Sequence, residues 1–155
     1  MGVAGSGKTT VGRLLAERLN WKFYEGDDFH PRENIEKMIR GVPLEDQDRE
    51  PWLKAIREVI RGAVASCENA VITCSALKES YRQLLQVCGE VVFVYLKADV
   101  LLVEERLRYR TGHFMNPRLI ESQFSSLEEP KDALQFDAAL TPEEIVWSIR
   151  DRLSI

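Results

Sequence analysis

The segment Gly2-Val3-Ala4-Gly5-Ser6-Gly7-Lys8-Thr9 constrains this chain more than any other, because it satisfies the pattern G-x-x-x-x-G-K-[ST] in full. Its glycines let the backbone curl with successive N–H groups pointing inward, so the loop cradles phosphate oxygens, and the helix that follows adds the positive end of its dipole. Val11, Leu14, Leu15 and Leu19 recur at helical spacing directly after it, so a helix from about Gly7 to Leu19, closing near Asn20, is expected. Gly2, Val3, Ala4, Gly5, Ser6, Gly7, Lys8, Thr9 and Thr10 are the expected nucleotide-phosphate contacts, with Lys8 on the β- and γ-phosphates and the Thr9 hydroxyl on Mg²⁺. Such a loop normally hangs from the carboxyl end of a buried parallel strand. Only Met1 precedes it here, so the first, central strand is expected to be missing from the chain.

The remaining chain alternates strand and helix signals. Trp21-Lys22-Phe23-Tyr24 reads as a short strand ending in Glu25-Gly26-Asp27-Asp28, and a helix carrying Ile35, Met38 and Ile39 is expected after His30-Pro31. Gly41 to Leu44 breaks that helix, Glu45 to Arg49 reads as a polar surface segment, and Pro51 is expected to start a helix. Its stripe of Trp52, Leu53, Ile56, Val59, Ile60 and Val64 reads as core. Ala70 to Cys74 is a strand ending at Ser75, with Lys78, Tyr81 and Arg82 opening the next helix. Val91 to Leu96 is apolar enough for a strand buried on both faces. Asp99 caps a helix whose basic end carries Arg106, Arg108 and Arg110; Thr111 to Phe114 interrupts it, and Asn116-Pro117 restarts it. A last strand is expected within Ala133 to Leu140, followed by a capping box at Thr141-Pro142-Glu143-Glu144.

This alternation predicts a single α/β domain over residues 1–155, a parallel sheet with helices on both faces. The loop, Asp27, Ser75 with Lys78, and the turn at Thr141 all follow strands, which places them on one sheet edge, where α/β folds collect ligands. A net charge of −4 argues against a general nucleic-acid or membrane-surface binder. The odd count of three cysteines, Cys67, Cys74 and Cys88, suits buried thiols in a reducing compartment, and cytoplasm is the expected location. The strand ending at Cys74 carries no acid at its tip and no Asn-Lys-x-Asp run is present, so GTPases and motor ATPases do not fit. Small-molecule kinases do, since they close an arginine-bearing lid over the phosphates. The segment 106–118 reads as that lid.

The chain resembles the gluconokinases of the short P-loop type over nearly its whole length. The resemblance is carried by Gly2 to Thr9, Gly26-Asp27-Asp28-Phe29-His30-Pro31 with Asn34 and Lys37-Met38, and Gly41 to Leu44 with Asp46, Asp48-Arg49 and Pro51-Trp52-Leu53. Further on it rests on Cys74 to Lys78 with Tyr81-Arg82, Arg106-Leu107 with Arg110, Gly112-His113-Phe114 and Gln123-Phe124. It implies a P-loop NTPase fold, transfer of the γ-phosphoryl group of ATP to the 6-hydroxyl of D-gluconate with Mg²⁺, and a homodimer. On that reading Asp27 is the base for the attacking alcohol, and Lys8, Arg106 and Arg110 stabilise the transition state. Arg49 is the leading partner for the gluconate carboxylate, with Lys78 and Arg82 as rivals. His30 and Asn34 are hydroxyl contacts, His113 is a further substrate contact, and Glu25 is a candidate to hold a metal-bound water. A second expectation, from the missing strand, is a catalytically inactive relative that binds only nucleotide or a partner subunit.

Overall fold

The computed structural model describes residues 1–108 and 119–155. Arg110, His113 and the expected lid beyond Arg108 lie outside the described residues. Helix α1 (Lys8–Leu19) follows the glycine-rich loop. Its N-cap is Gly7 at φ 96°, a left-handed conformation that a side chain resists, and it closes on Asn20, whose N–H reaches the carbonyls of Ala16 and Glu17. Strand β1 (Lys22–Glu25) then pairs in parallel with β2 (Ala70–Thr73), Lys22 opposite Ala70 and Glu25 opposite Thr73. Between them run α2 (Arg32–Ile39) and α3 (Asp46–Ala65). After α4 (Glu79–Leu85), β3 (Val94–Lys97) pairs in parallel with β4 (Leu134–Asp137), with α5 (Val100–Arg108) and α6 (Ile120–Ser126) between. Helix α7 (Pro142–Leu153) ends the fold.

Two apolar clusters sandwich these strands. Val11, Leu15, Phe136, Ile145 and Ile149 form one, between α1, α7 and β4; Trp52, Ile56, Ile60, Tyr81 and Leu85 form the other, under α3 and α4. Val71 packs on the first cluster and its neighbour Ile72 on the second. Successive strand residues face opposite ways, so helices cover both faces of the strands as expected.

The centre departs from a continuous sheet. Among the described residues the strands form two separate pairs, β1 with β2 and β3 with β4. Met1 and Gly2 together stitch them: the Met1 amino group donates to Val94 O, Leu96 N donates to Met1 O at 3.0 Å, and Gly2 N donates to Ser75 O at 3.2 Å. Behind that stitch lies a cavity of about 690 Å³, walled by Leu15, Val64, Ile72, Cys74, Phe93 and Val94. Burial, and then the charge of Lys8, push the Met1 amine down to about 5.

Two boundaries correct the sequence reading. Strand β3 begins only at Val94, and Val92 is 52 % exposed rather than buried on both faces. The strand starts where β4 runs alongside, and Val91 to Phe93 border the hollow on the other side. Helix α3 begins at Asp46, not Pro51, because Glu45 and Asp48 form a capping box that satisfies the first free amides. The expected polar segment is therefore the first helical turn. The Thr141 capping box is as expected, with Glu144 N donating to Thr141 Oγ1 at 3.3 Å and Thr141 N to Glu144 Oε2 at 2.9 Å.

Candidate active site

The glycine-rich loop is held both by its own bonds and from outside. Ser6 N donates to Val3 O at 3.3 Å, Lys8 Nζ to Val3 O at 2.9 Å, and Ala4 N to Gln123 Oε1 on α6 at 2.7 Å. Arg106, from α5, donates through Nη1 to Ser6 O at 3.3 Å and through Nη2 to Ala138 O at 2.7 Å. It thereby ties the loop to the turn after β4. Ser6 Oγ is buried without a hydrogen-bond partner. An orphaned hydroxyl in a loop at the N-terminus of a 12-residue helix fits a phosphate, whose oxygens accept from hydroxyl and amide alike. Thr9, half-buried beside Lys8, is the residue present for a magnesium ion, which keeps several waters and takes few protein ligands.

The facing wall is set by the end of β1. Glu25 leads into a 3-10 turn, Gly26–Phe29, that carries Asp27. Gly26 is clamped: its N–H donates to Thr73 Oγ1 at 3.3 Å and its carbonyl accepts from Trp52 Nε1 at 2.7 Å. A Cβ there would lie 1.9 Å from Thr73 O, so only glycine brings the two strand ends this close. His30 N donates to Asp27 O at 3.3 Å, and the His30 ring stacks on Trp52 with centroids 4.3 Å apart and planes 11° apart. Burial first, and then the neighbouring Arg49, push the His30 ring down to about 4. Arg49 donates to Leu44 O and presents a side chain only 14 % exposed.

One cavity of about 510 Å³ joins the two walls. Residues 4–11 of the loop and helix line one side; Asp27, His30, Arg49, Trp52 and Ser75 line the other. Leu107, Leu140, Pro142 and Ile145 form an apolar end. Of Arg49, Lys78 and Arg82, the three cations expected for a carboxylate, Arg49 alone borders this cavity. Lys78 Nζ grips both Asp46 carboxylate oxygens at 2.8 Å, and Tyr81 donates to the same group, which holds Asp46 below the usual carboxylate range. Arg82 is 8 % exposed and spends Nη1 on the carbonyls of Ala76 at 3.1 Å and Leu77 at 3.0 Å. Asn34 lies behind His30 rather than on the cavity wall. Glu25 accepts from Thr73 Oγ1 and also stays off the wall.

Two wall residues carry no role in the sequence reading. Trp52 belongs to an apolar stripe, and nothing in a stripe reveals where an indole N–H goes. Gln123 figures only in the resemblance; its bond to Ala4 crosses 119 positions. Among the described residues, no group of three or more His, Cys, Asp or Glu forms a metal cluster, and no helix is long and apolar enough to cross a membrane.

The family model described as shikimate kinase matches residues 4–145. A gluconokinase of Gluconobacter oxydans (strain 621H) is 47% identical over 135 residues, covering 85% of this chain and 75% of that protein. The crystal structure of a gluconokinase from Sinorhizobium meliloti 1021 is 42% identical with a TM-score of 0.84, covering 99% of this chain and 93% of that one. An unliganded sugar kinase from Janibacter sp. HTCC2649 gives a TM-score of 0.92 at 38% identity, over 100% of this chain and 92% of that one. The P-loop kinase fold expected from the motif is therefore the fold of the chain.

Proposed function

We propose that this chain, which belongs to the gluconokinases within the wider shikimate kinase family, transfers the γ-phosphoryl group of ATP to the 6-hydroxyl of D-gluconate, releasing ADP and 6-phosphogluconate. The observation that carries the reading is the shared cavity: a phosphate-binding loop and an acidic, histidine- and arginine-bearing wall face one space of about 510 Å³. The apolar end at Leu107, Leu140, Pro142 and Ile145 suits a flat base, next to the loop that takes the phosphates.

In the reaction the 6-oxygen attacks the γ-phosphorus as Asp27 accepts its proton. The bond from that phosphorus to the bridging oxygen breaks, and the electron pair leaves with ADP. Lys8 exchanges its bond to Val3 O for β- and γ-phosphate oxygens, and the loop amides and Ser6 Oγ add donors fixed before the charge develops. Arg106 spends one N–H of Nη1 and one of Nη2 on the carbonyls of Ser6 and Ala138, and the remaining donors of its guanidinium serve phosphate oxygens beside the loop. Thr9 would hold a magnesium ion, which would supply neutralisation of the charge that develops on the phosphates. Arg49 pairs with the gluconate carboxylate and His30 with a hydroxyl, while Lys78 and Arg82 serve the frame. No feature of the cavity wall favours the binding-only alternative.

The test is product identity. With ATP, Mg²⁺ and D-gluconate, ¹³C and ³¹P NMR should show phosphorus coupled to C6. Coupling at another carbon, or ADP release indifferent to gluconate, contradicts the proposal.

A further inference from the structure

The acceptor wall is built around a histidine whose tautomer the fold decides. Asn34 is 4 % exposed, and its Nδ2 lies 2.7 Å from the backbone oxygen of Asp48. A carbonyl only accepts, so the amide nitrogen rather than the amide oxygen must face it. The second hydrogen of that nitrogen is then left for His30 Nδ1, 3.4 Å away. An amide nitrogen only donates, so Nδ1 has to accept, and the ring proton sits on Nε2. Trp52 fixes the ring plane by stacking and is itself tied to Gly26 O. Arg49, whose charge opposes a second ring proton, stands on the same wall.

We infer that Asn34 and Trp52 are positioning residues that hold His30 as an Nε2–H donor, so that His30 reads an oxygen lone pair of the acceptor substrate and does not take its proton. The inference rests on the reading of this cavity as the acceptor site of a kinase. A ring held in this tautomer leaves the role of base to Asp27. It also defines the acceptor as a molecule that presents an oxygen, hydroxyl or carboxylate, opposite His30, with a second oxygen within reach of Arg49.

The test reads the tautomer directly. The chain contains two histidines, and long-range ¹H–¹⁵N spectra of the wild type, assigned with His30→Gln, should show His30 protonated at Nε2 alone near neutral pH. In Asn34→Asp the new carboxylate accepts from Nδ1–H, so the tautomer should switch and the ring pKa should rise. Acceptor KM should then rise about 10-fold with the KM for ATP unchanged, the scale of one misdirected hydrogen bond. Trp52→Phe, which keeps a ring to stack on, should retain more acceptor affinity than Trp52→Leu. An Nδ1–H wild-type spectrum overturns the inference, whether or not the variants fold. So does a tautomer switch in Asn34→Asp that leaves acceptor KM unchanged. An Nε2–H spectrum without gluconate-dependent turnover upholds the tautomer and contradicts the proposed reaction.

Discussion

Two cavities flank the glycine-rich loop, and they are built in opposite ways. The one of about 510 Å³ at the sheet edge is bounded by groups whose positions are over-determined: Gly26 between Thr73 and Trp52, His30 between Trp52 and Asn34, and the loop between Arg106 and Gln123. The one of about 690 Å³ between β2 and β3 is bounded largely by aliphatic and aromatic side chains and stitched at one end by Met1 and Gly2. Polar networks specify geometry when every member is satisfied, whereas apolar packing stabilises only when the space is filled. Chemistry and stability therefore reside on different sides of the same loop. Each can be perturbed with little effect on the other.

The largest separation is expected from Asp27→Asn. Turnover should fall by roughly 10²–10⁴-fold, the usual scale for a lost general base, while nucleotide affinity by calorimetry and the unfolding midpoint stay near wild type. Unchanged turnover would remove Asp27 from the base role. Gly26→Ala should damage both sides at once, because its Cβ would fall 1.9 Å from Thr73 O. A loss of about 3 kcal/mol in urea unfolding, the upper range for overpacking, should accompany the loss of activity; a variant of wild-type stability would show that the two strand ends are not clamped.

Filling the hollow should do the reverse. A short apolar extension placed before Met1, able to run between β2 and β3, should raise stability by about 2 kcal/mol net of the entropy of ordering it. Acceptor preference should stay the same, and a shift in that preference would mean the two regions are coupled.

The smallest effect is in pH. The Met1 amine lies at about 5 against an ordinary 8.0, and the His30 ring at about 4 against an ordinary 6.5. Both are bases with lowered pKa values, so between each pair of values the unfolded chain binds the extra proton and acid favours unfolding. Stability should decline as pH falls from 8 to 5 through Met1, and again from 6.5 to 4 through His30. Acetylating the amine should abolish the first decline and leave the second. An acetylated chain with an unaltered profile would show that the buried amine contributes nothing.

Legibility from sequence follows the same division. The loop, both ends of α1, the Thr141 cap and the position of Asp27 after β1 are local, written in a few consecutive residues, and the structure has them where the spacing puts them. Contacts between distant segments are not written that way. Lys78 looks like a free cation until Asp46, 32 positions away, takes it; Trp52 looks like core until its indole nitrogen meets Gly26. Asn34 looks like a substrate contact until the Asp48 carbonyl turns its amide. Strand β3 is misplaced for a related reason. Its apolar run has the composition of a doubly buried strand, yet strand geometry needs a neighbour, and among the described residues the strand paired with it is β4, from Val94 onward.

The most direct measurement is ADP release by this 155-residue chain with ATP and Mg²⁺, comparing D-gluconate, shikimate and no acceptor, repeated with the version whose central hollow is filled. The account predicts gluconate-dependent release that shikimate does not replace, with the filled version more stable and of the same preference. Release that ignores gluconate in both versions would contradict it.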